Sequence, residues 1–232
     1  MCGRVELTST IDELSSIFNA KFSIEDASKY RTGVDVRPTQ HLCVINSDEG
    51  QRIGKVMRWG LVPPYIKNLS DMKFSTFNAR AEGILTNRTY KGPFKSKRCI
   101  VVVNGFYEWK DEGGKKKQRY YFTPSEGNVF GMAGLWERTT LVNSDGSSEE
   151  MESCTIITTE PNEFMSEFHN RMPVILMPSD YDKWLSQDTT EKELVSLMKA
   201  CPPDFIIATK VRSDIRTAAD LSLPLEDESL AF

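Results

Sequence analysis

Eight short runs of β-branched and aromatic residues recur along this chain, with helical signals falling only beside them. The runs are Leu42–Asn46, Cys99–Asn104, Phe106–Trp109, Arg119–Thr123, Val129–Trp136, Cys154–Thr159, Val174–Met177 and Phe205–Lys210. Each has the composition and length of a strand. No regular βαβ alternation separates them, which disfavours a parallel crossover sheet. The expectation is an α+β fold with a mainly antiparallel, barrel-like β-sheet core and flanking helices. Helix starts are signalled by four features. Thr10 with Glu13 and Thr190 with Glu193 are capping boxes, Ser179 with Asp182 has the same spacing, and Pro161 suits a first turn before Phe164, Met165 and Phe168.

No Pro/Gly/Ser-rich linker or internal repeat divides the 232 residues, so residues 1–223 are expected to form one domain and 224–232 a frayed tail. With 39% hydrophobic residues a sizeable core can form. No apolar run reaches the roughly 18 residues of a membrane helix. The start, MCGRVELTST, lacks a signal-peptide pattern. Five scattered cysteines, an odd number, argue for a reducing cytoplasm rather than a disulfide framework. With two histidines, no C-x-x-C and no H-E-x-x-H, neither a metal site nor a cofactor is expected.

The formal net charge of −4 conceals an asymmetry. Between Ile53 and Tyr120 stand 15 basic and 5 acidic residues, so that segment is +10 and the remainder −14. Such a division suits a polyanion site inside an acidic protein. A solvated basic loop at Gly113-Gly114-Lys115-Lys116-Lys117 plus scattered lysines would give the same arithmetic, and charge alone separates neither reading.

Cys2 follows the initiator methionine. Removal of Met1 would leave a free α-amine and a thiol on adjacent carbons. Such a 1,2-aminothiol reacts with an aldehyde to give an imine, and the thiol then closes a five-membered thiazolidine. An internal cysteine cannot do this, because its nitrogen is an amide. An α-amine of pKa about 7.7–8.0 and a thiol near 8.5 are both partly deprotonated around neutrality. Taken alone, a cysteine in second place carries no function.

The remaining motifs give it one. In order they are Met1-Cys2-Gly3-Arg4, Arg58-Trp59-Gly60-Leu61-Val62-Pro63, Phe77-Asn78-Ala79-Arg80-Ala81-Glu82, Arg98 to Trp109 ending Asn-Gly-Phe-Tyr-Glu-Trp, Ala133-Gly134-Leu135-Trp136-Glu137 and His169-Asn170-Arg171-Met172-Pro173-Val174. From Cys2 to about Met177 the chain resembles the SRAP family, the SOS-response-associated peptidase-like proteins that shield abasic sites in DNA. The resemblance implies a small β-barrel with surrounding helices and a preference for abasic sites in single-stranded DNA. It also implies capture of the ring-opened sugar aldehyde as a thiazolidine crosslink, with no membrane or metal partner and a monomeric protein.

Carried over to this sequence, the resemblance makes Cys2 the nucleophile, Asn78 the holder of the reacting end, Glu108 an acid/base and His169 a second proton-transfer group. Arg4 and Arg80 are the expected phosphate ligands, since both flank reactive residues and guanidinium grips phosphate bidentately. Trp59 and Tyr65 are the candidates for stacking exposed bases, with core packing the rival for Trp59. The family often has tryptophan where Pro64-Tyr65 stands, so stacking there is in question. Asn78, Arg80 and Glu82 should share a face of one extended segment, with Glu82 a structural partner for a cation. Cys43, Cys99, Cys154 and Cys201 read as inert core thiols. Two other classes stay open: a thiol or N-terminal-nucleophile peptidase limited to removing its own Met1, and a non-catalytic single-strand-binding module. A weak lyase activity could accompany crosslinking.

Overall fold

The structure, a computed structural model, describes residues 2–212. The tail expected over 224–232 lies outside the described residues. In chain order the first elements are β1 (Val5–Leu7), α1 (Ile11–Phe18), β2 (Ala20–Phe22), α2 (Ile24–Lys29), β3 (Gly33–Val36), β4 (His41–Asp48), β5 (Gln51–Trp59) and β6 (Asn78–Arg80). The middle holds α3 (Lys91–Ser96), β7 (Arg98–Val103), β8 (Gly105–Lys110), β9 (Gln118–Pro124), β10 (Phe130–Val142) and β11 (Ser148–Thr159). Then come α4 (Glu163–Ser166), β12 (Met172–Pro173), β13 (Ile175–Leu176), α5 (Tyr181–Leu185), α6 (Glu191–Leu197) and β14 (Ile206–Val211).

Five strands close into a barrel. β5 pairs antiparallel with β4, β4 with β7, β7 with β10 and β10 with β11, and β11 returns to β5 through a short parallel contact at Ser153 and Cys154. Closure removes the edges that would otherwise template aggregation. A second sheet, in the order β14-β9-β8-β1-β3, is antiparallel throughout. The α+β, mainly antiparallel and barrel-like architecture expected from the sequence is therefore present.

The period-2 pattern explains how the barrel wall serves two layers. Along β7, Ile100 and Val102 join one apolar cluster, while Cys99, Val101 and Val103 join the other. The first cluster packs under the helices through Leu14, Phe18, Phe94, Trp184 and Leu194. The second packs with Val5, Phe106 and Phe122 of the five-stranded sheet. Each such residue, fully buried, contributes on the order of 1.5–3 kcal/mol. The site is thus built on a sheet glued to a closed wall.

Each of the eight strand-like runs holds a strand, though in Val174–Met177 only Ile175–Leu176, β13, is one. The capping boxes at Thr10 and Thr190 are formed as expected. Two helix starts differ. Pro161 lies ahead of the actual cap, Asn162, whose side chain takes the Met165 amide, so α4 begins at Glu163. Ser179 does not cap α5. A 3₁₀ turn over Pro178–Asp180 runs directly into that helix, so no side-chain cap is made. Among the described residues no helix is long and apolar enough to cross a membrane.

Candidate functional site

Cys2 stands at the mouth of β1, which runs between β3 and β8. Val5 pairs with Phe106 and Glu6 with Gly105, and the Tyr107 amide donates to the Arg4 carbonyl at 2.9 Å. This register carries Glu108 toward the start of the chain. Gly105 permits the close approach of β8 to β9, since a Cβ there would lie 2.3 Å from the Tyr121 ring and 2.6 Å from the Phe122 carbonyl oxygen.

On β8, alternation puts Glu108 on the same face as Phe106, which stacks on Phe122 at 4.9 Å. Glu108 is only 4% exposed. Burial raises its carboxyl pKa above the ordinary carboxylate range, against the opposing pull of the positive charge at the chain start. Cys2 is itself fully buried. Burial first, and the Glu108 charge second, push its thiol well above the usual range. In the chain that carries Met1 this sulfur is therefore a protonated, enclosed thiol.

The main chain of Cys2 is held from another direction. β6 lies parallel against β11, pairing Asn78 with Ile156 and Arg80 with Thr158. Ala79 between them is buried, so its two neighbours face outward together. Asn78 Nδ2 donates to the Cys2 carbonyl at 2.8 Å, and Asn78 Oδ1 is buried with no hydrogen-bond partner. A groove of about 530 Å³ opens beside Asn78, lined also by Arg80, Glu82, Tyr90, Glu160 and Arg171. The extended segment ends at Arg80, and Glu82 sits in a 3₁₀ turn yet still faces the groove. Glu82 is a cation's partner as expected: Arg171 grips it bidentately at 2.8 and 2.9 Å and also donates to the Thr158 carbonyl at 2.7 Å. These Arg171 bonds hold the Glu82 carboxyl below its ordinary range.

His169 follows α4 and is placed by its neighbour. Phe168 packs edge-on against Tyr120 at 4.8 Å and Phe122 at 5.1 Å, and Lys110 lies over its other side at 4.7 Å. This pins the end of α4 against β8 and β9. The Arg171 amide donates to His169 Nδ1 at 3.0 Å, so the neutral imidazole carries its proton on Nε2. Burial, aided by the positive charge at the chain start, lowers the His169 pKa.

The expected nucleic-acid contacts fare unequally. Trp59 is corrected: it is fully buried, donates Nε1–H to the Phe77 carbonyl at 2.8 Å and meets the Phe77 ring edge-on at 6.1 Å. As the last residue of a barrel strand it offers no face to a base. Tyr65 is 41% exposed, but Arg88 covers its ring at 4.6 Å and its hydroxyl bonds to Thr89. Arg80 is exposed on the groove. Arg4 is partly exposed and paired with Asp35 at 2.7 Å.

The basic segment is not one surface either. Arg98 is buried, donating to the carbonyls of Phe94, Lys95, Trp184 and Ser186, where it caps the ends of α3 and α5. Arg119 is also buried, over the Tyr107 ring at 3.8 Å. Reasoning from sequence gave no role to Arg171, Tyr90 or Asp35. Arg171 alone had a signal, standing two residues after His169 in the same motif.

Comparison with known proteins agrees with this geometry. Over 215 residues the chain is 36% identical to the abasic site processing protein YoqW of Bacillus subtilis, covering 92% of this chain and 93% of that one. It is likewise 36% identical to YoaM of the same organism, also an abasic site processing protein, over 98% of both chains. A crystal structure of a Bacteroides thetaiotaomicron protein superposes with a TM-score of 0.82 at 26% identity, over 92% of this chain and 93% of the other. The family model for SOS response associated peptidase (SRAP) matches residues 1–218. A match over that span, together with relatives more than 30% identical along nearly their whole length, establishes that the chain belongs to the SRAP family.

Proposed function

We propose that this protein captures abasic sites in single-stranded DNA as a thiazolidine crosslink through Cys2 after removal of Met1. The observation that carries this reading is the 2.8 Å hydrogen bond from Asn78 to the Cys2 carbonyl. It anchors the cysteine's main chain beside a groove lined by Arg80 and Arg171, while the buried Glu108 acts on the thiol.

The chemistry balances simply. The freed amine adds to the sugar aldehyde, the carbinolamine loses one water to give an imine, and the thiol adds across the C=N bond. One C–N and one C–S bond form, and the thiol proton ends on nitrogen. Glu108, with its raised pKa, can hold and return protons during ring opening and water loss. His169, presenting Nε2, serves as the second relay. Asn78 holds the reacting end, and Arg80 is the phosphate ligand on the groove side. The five cysteines are free, which suits a reducing cytoplasm.

The test is a denaturing gel after mixing protein of verified mass, lacking Met1, with abasic single-stranded oligonucleotide. A slow-migrating adduct that disappears in Cys2→Ala is expected. Absence of an adduct from protein proven to lack Met1 defeats the proposal. Because Cys2 is enclosed in the unprocessed chain, a maleimide should label it only after Met1 is lost.

A second activity has its own support. Cys2 is buried with its carbonyl held by Asn78, and the Glu108 carboxyl, pushed up by burial, acts on its thiol. We read this as self-processing, in which one water is consumed and free methionine released. Purified Met1-bearing protein should lose that residue's mass on incubation without added peptidase, and Glu108→Gln should not. Retention of Met1 by the wild type would assign its removal to another enzyme.

A further inference from the structure

Where the chain enters β1, two residues after Cys2, three guanidinium groups converge on one carboxylate that does not line the Asn78 groove. Asp35 accepts from Arg4 at 2.7 and 2.8 Å, from Arg37 at 2.6 and 3.1 Å, and from Arg119 at 3.3 Å. The strand pairing explains the gathering: Val5 of β1 stands opposite Val36 of β3, so Arg4 and Arg37 emerge side by side. Three cations against one anion leave the cluster with a surplus of two positive charges.

The three arginines differ in access. Arg119 is 3% exposed, sandwiched between the Tyr107 ring at 3.8 Å and Trp109 at 5.5 Å, and its Nε is buried without a hydrogen-bond partner. It is the floor. Arg4 and Arg37 are 29% and 57% exposed at the side chain, and one nitrogen of each lies within 2.7 Å of the same Asp35 oxygen. Two open guanidinium groups so close together present unused donors on one side. A guanidinium has five N–H donors, and a carboxylate in this position satisfies only some of them. Burial works to raise the Asp35 carboxyl, yet the bonds from Arg4 and Arg37 outweigh it and hold it below its ordinary value, so Asp35 is a full anion at neutral pH.

We propose that Arg4 and Arg37 form a second phosphate subsite, separate from the groove that Arg80 lines, for another phosphodiester of the strand, with Asp35 as its resident competing anion. This rests on the reading of the protein as a binder of single-stranded DNA. A phosphate entering here bridges the two guanidinium groups and draws them from Asp35. Asp35 therefore weakens binding to undamaged strand while keeping both arginines extended in place. Arg119, too buried to reach a ligand, positions Asp35 from beneath.

The experiment measures reversible binding of a fluorescent, undamaged oligothymidylate by Cys2→Ala protein, in which no crosslink can form, across a range of salt. In that background Arg37→Ala should weaken binding about tenfold, the effect of one lost charge-assisted hydrogen-bonded contact. It should also reduce the slope of log K against log salt by about 0.7. Asp35→Asn, a near-isosteric change, should do the opposite, tightening binding and steepening the slope. Inorganic phosphate as competitor distinguishes a strand-specific site from a general anion site. Competition at low millimolar concentration that Arg37→Ala abolishes would mean a free-anion site and overturn the strand-specific assignment.

Unchanged affinity and slope in Arg37→Ala would overturn the subsite. Weaker binding in a folded Asp35→Asn protein, with its melting temperature unchanged, would overturn the competing role of Asp35. Failure of wild-type protein to crosslink abasic DNA would sink the capture chemistry while leaving these binding results standing.

Discussion

The barrel and the five-stranded sheet handle buried charge in opposite ways. In the barrel, Arg98 is 3% exposed, yet its guanidinium donates to four main-chain carbonyls at 2.6–2.8 Å. The C-terminal ends of two helices supply those acceptors, whose partial negative charge suits a cation. In the outer sheet, Glu108 is buried to a similar degree, and its carboxyl pKa is pushed up. Both are buried charges in β-strands of the same basic segment. One donates to four carbonyls and holds elements together, whereas the other has its carboxyl pushed above the ordinary carboxylate range by desolvation, which eases its protonation. The difference teaches that burial alone marks neither structure nor function; the way the charge is compensated does.

Substitutions can break that comparison. The largest expected effect is on chemistry. Glu108→Gln should slow adduct formation by roughly 10²–10⁴-fold, the range for loss of a general acid/base. Its folding stability should be unchanged or higher, because a buried carboxyl is gone; urea unfolding beside gel kinetics checks both. A Glu108→Gln protein that crosslinks at the wild-type rate would refute the assignment. Arg98→Met should do the reverse. It strands four carbonyls at the ends of α3 and α5, costing on the order of 3–5 kcal/mol in unfolding free energy, with crosslinking chemistry retained in whatever fraction stays folded.

His169 gives a smaller, pH-resolved effect. Its pKa is lowered from 6.5 by burial and the nearby positive charges, so the imidazole is already neutral at pH 7. Crosslinking should therefore be flat near neutrality and fall as pH drops through a midpoint below 6.5, and His169→Ala should lack that acid limb. A midpoint above 6.5 would contradict the lowered pKa. Smallest of all is a change remote from both regions. Thr10→Ala removes the capping box of α1 and should cost about 1 kcal/mol in thermal or urea unfolding without altering crosslinking.

Much of the fold was legible because strands and caps write local signals. Each of the eight β-branched runs holds a strand, the shortest only Ile175–Leu176, and two S/T-x-x-E patterns are capping boxes. The missing barrel strand, β5 (Gln51–Trp59), was hidden by Arg52, Gly54, Lys55 and Arg58, whose composition does not read as strand. Its Gly54 is a packing requirement invisible in the sequence, because a Cβ there would strike the Phe22 ring at 2.2 Å. The basic segment misled in part, since counting charges cannot tell Arg98, sealed beneath two helices, from Arg80, open on the groove. Trp59 likewise shares a motif with no mark of which way its ring points.

By itself, the sequence supplied the grounds for the proposed chemistry, a cysteine in second place, and strand, cap and motif signals are carried by neighbours in the chain. The tertiary structure decided everything that depends on distance between remote segments. Asn78 reaches the Cys2 carbonyl across 76 positions, Arg171 takes Glu82 across 89, and Asp35 gathers Arg4, Arg37 and Arg119 from three places along the chain. The physical reason is that solvation, pairing and proton affinity follow from what surrounds a group in space. Strand register and barrel closure set those surroundings, and no local pattern records them.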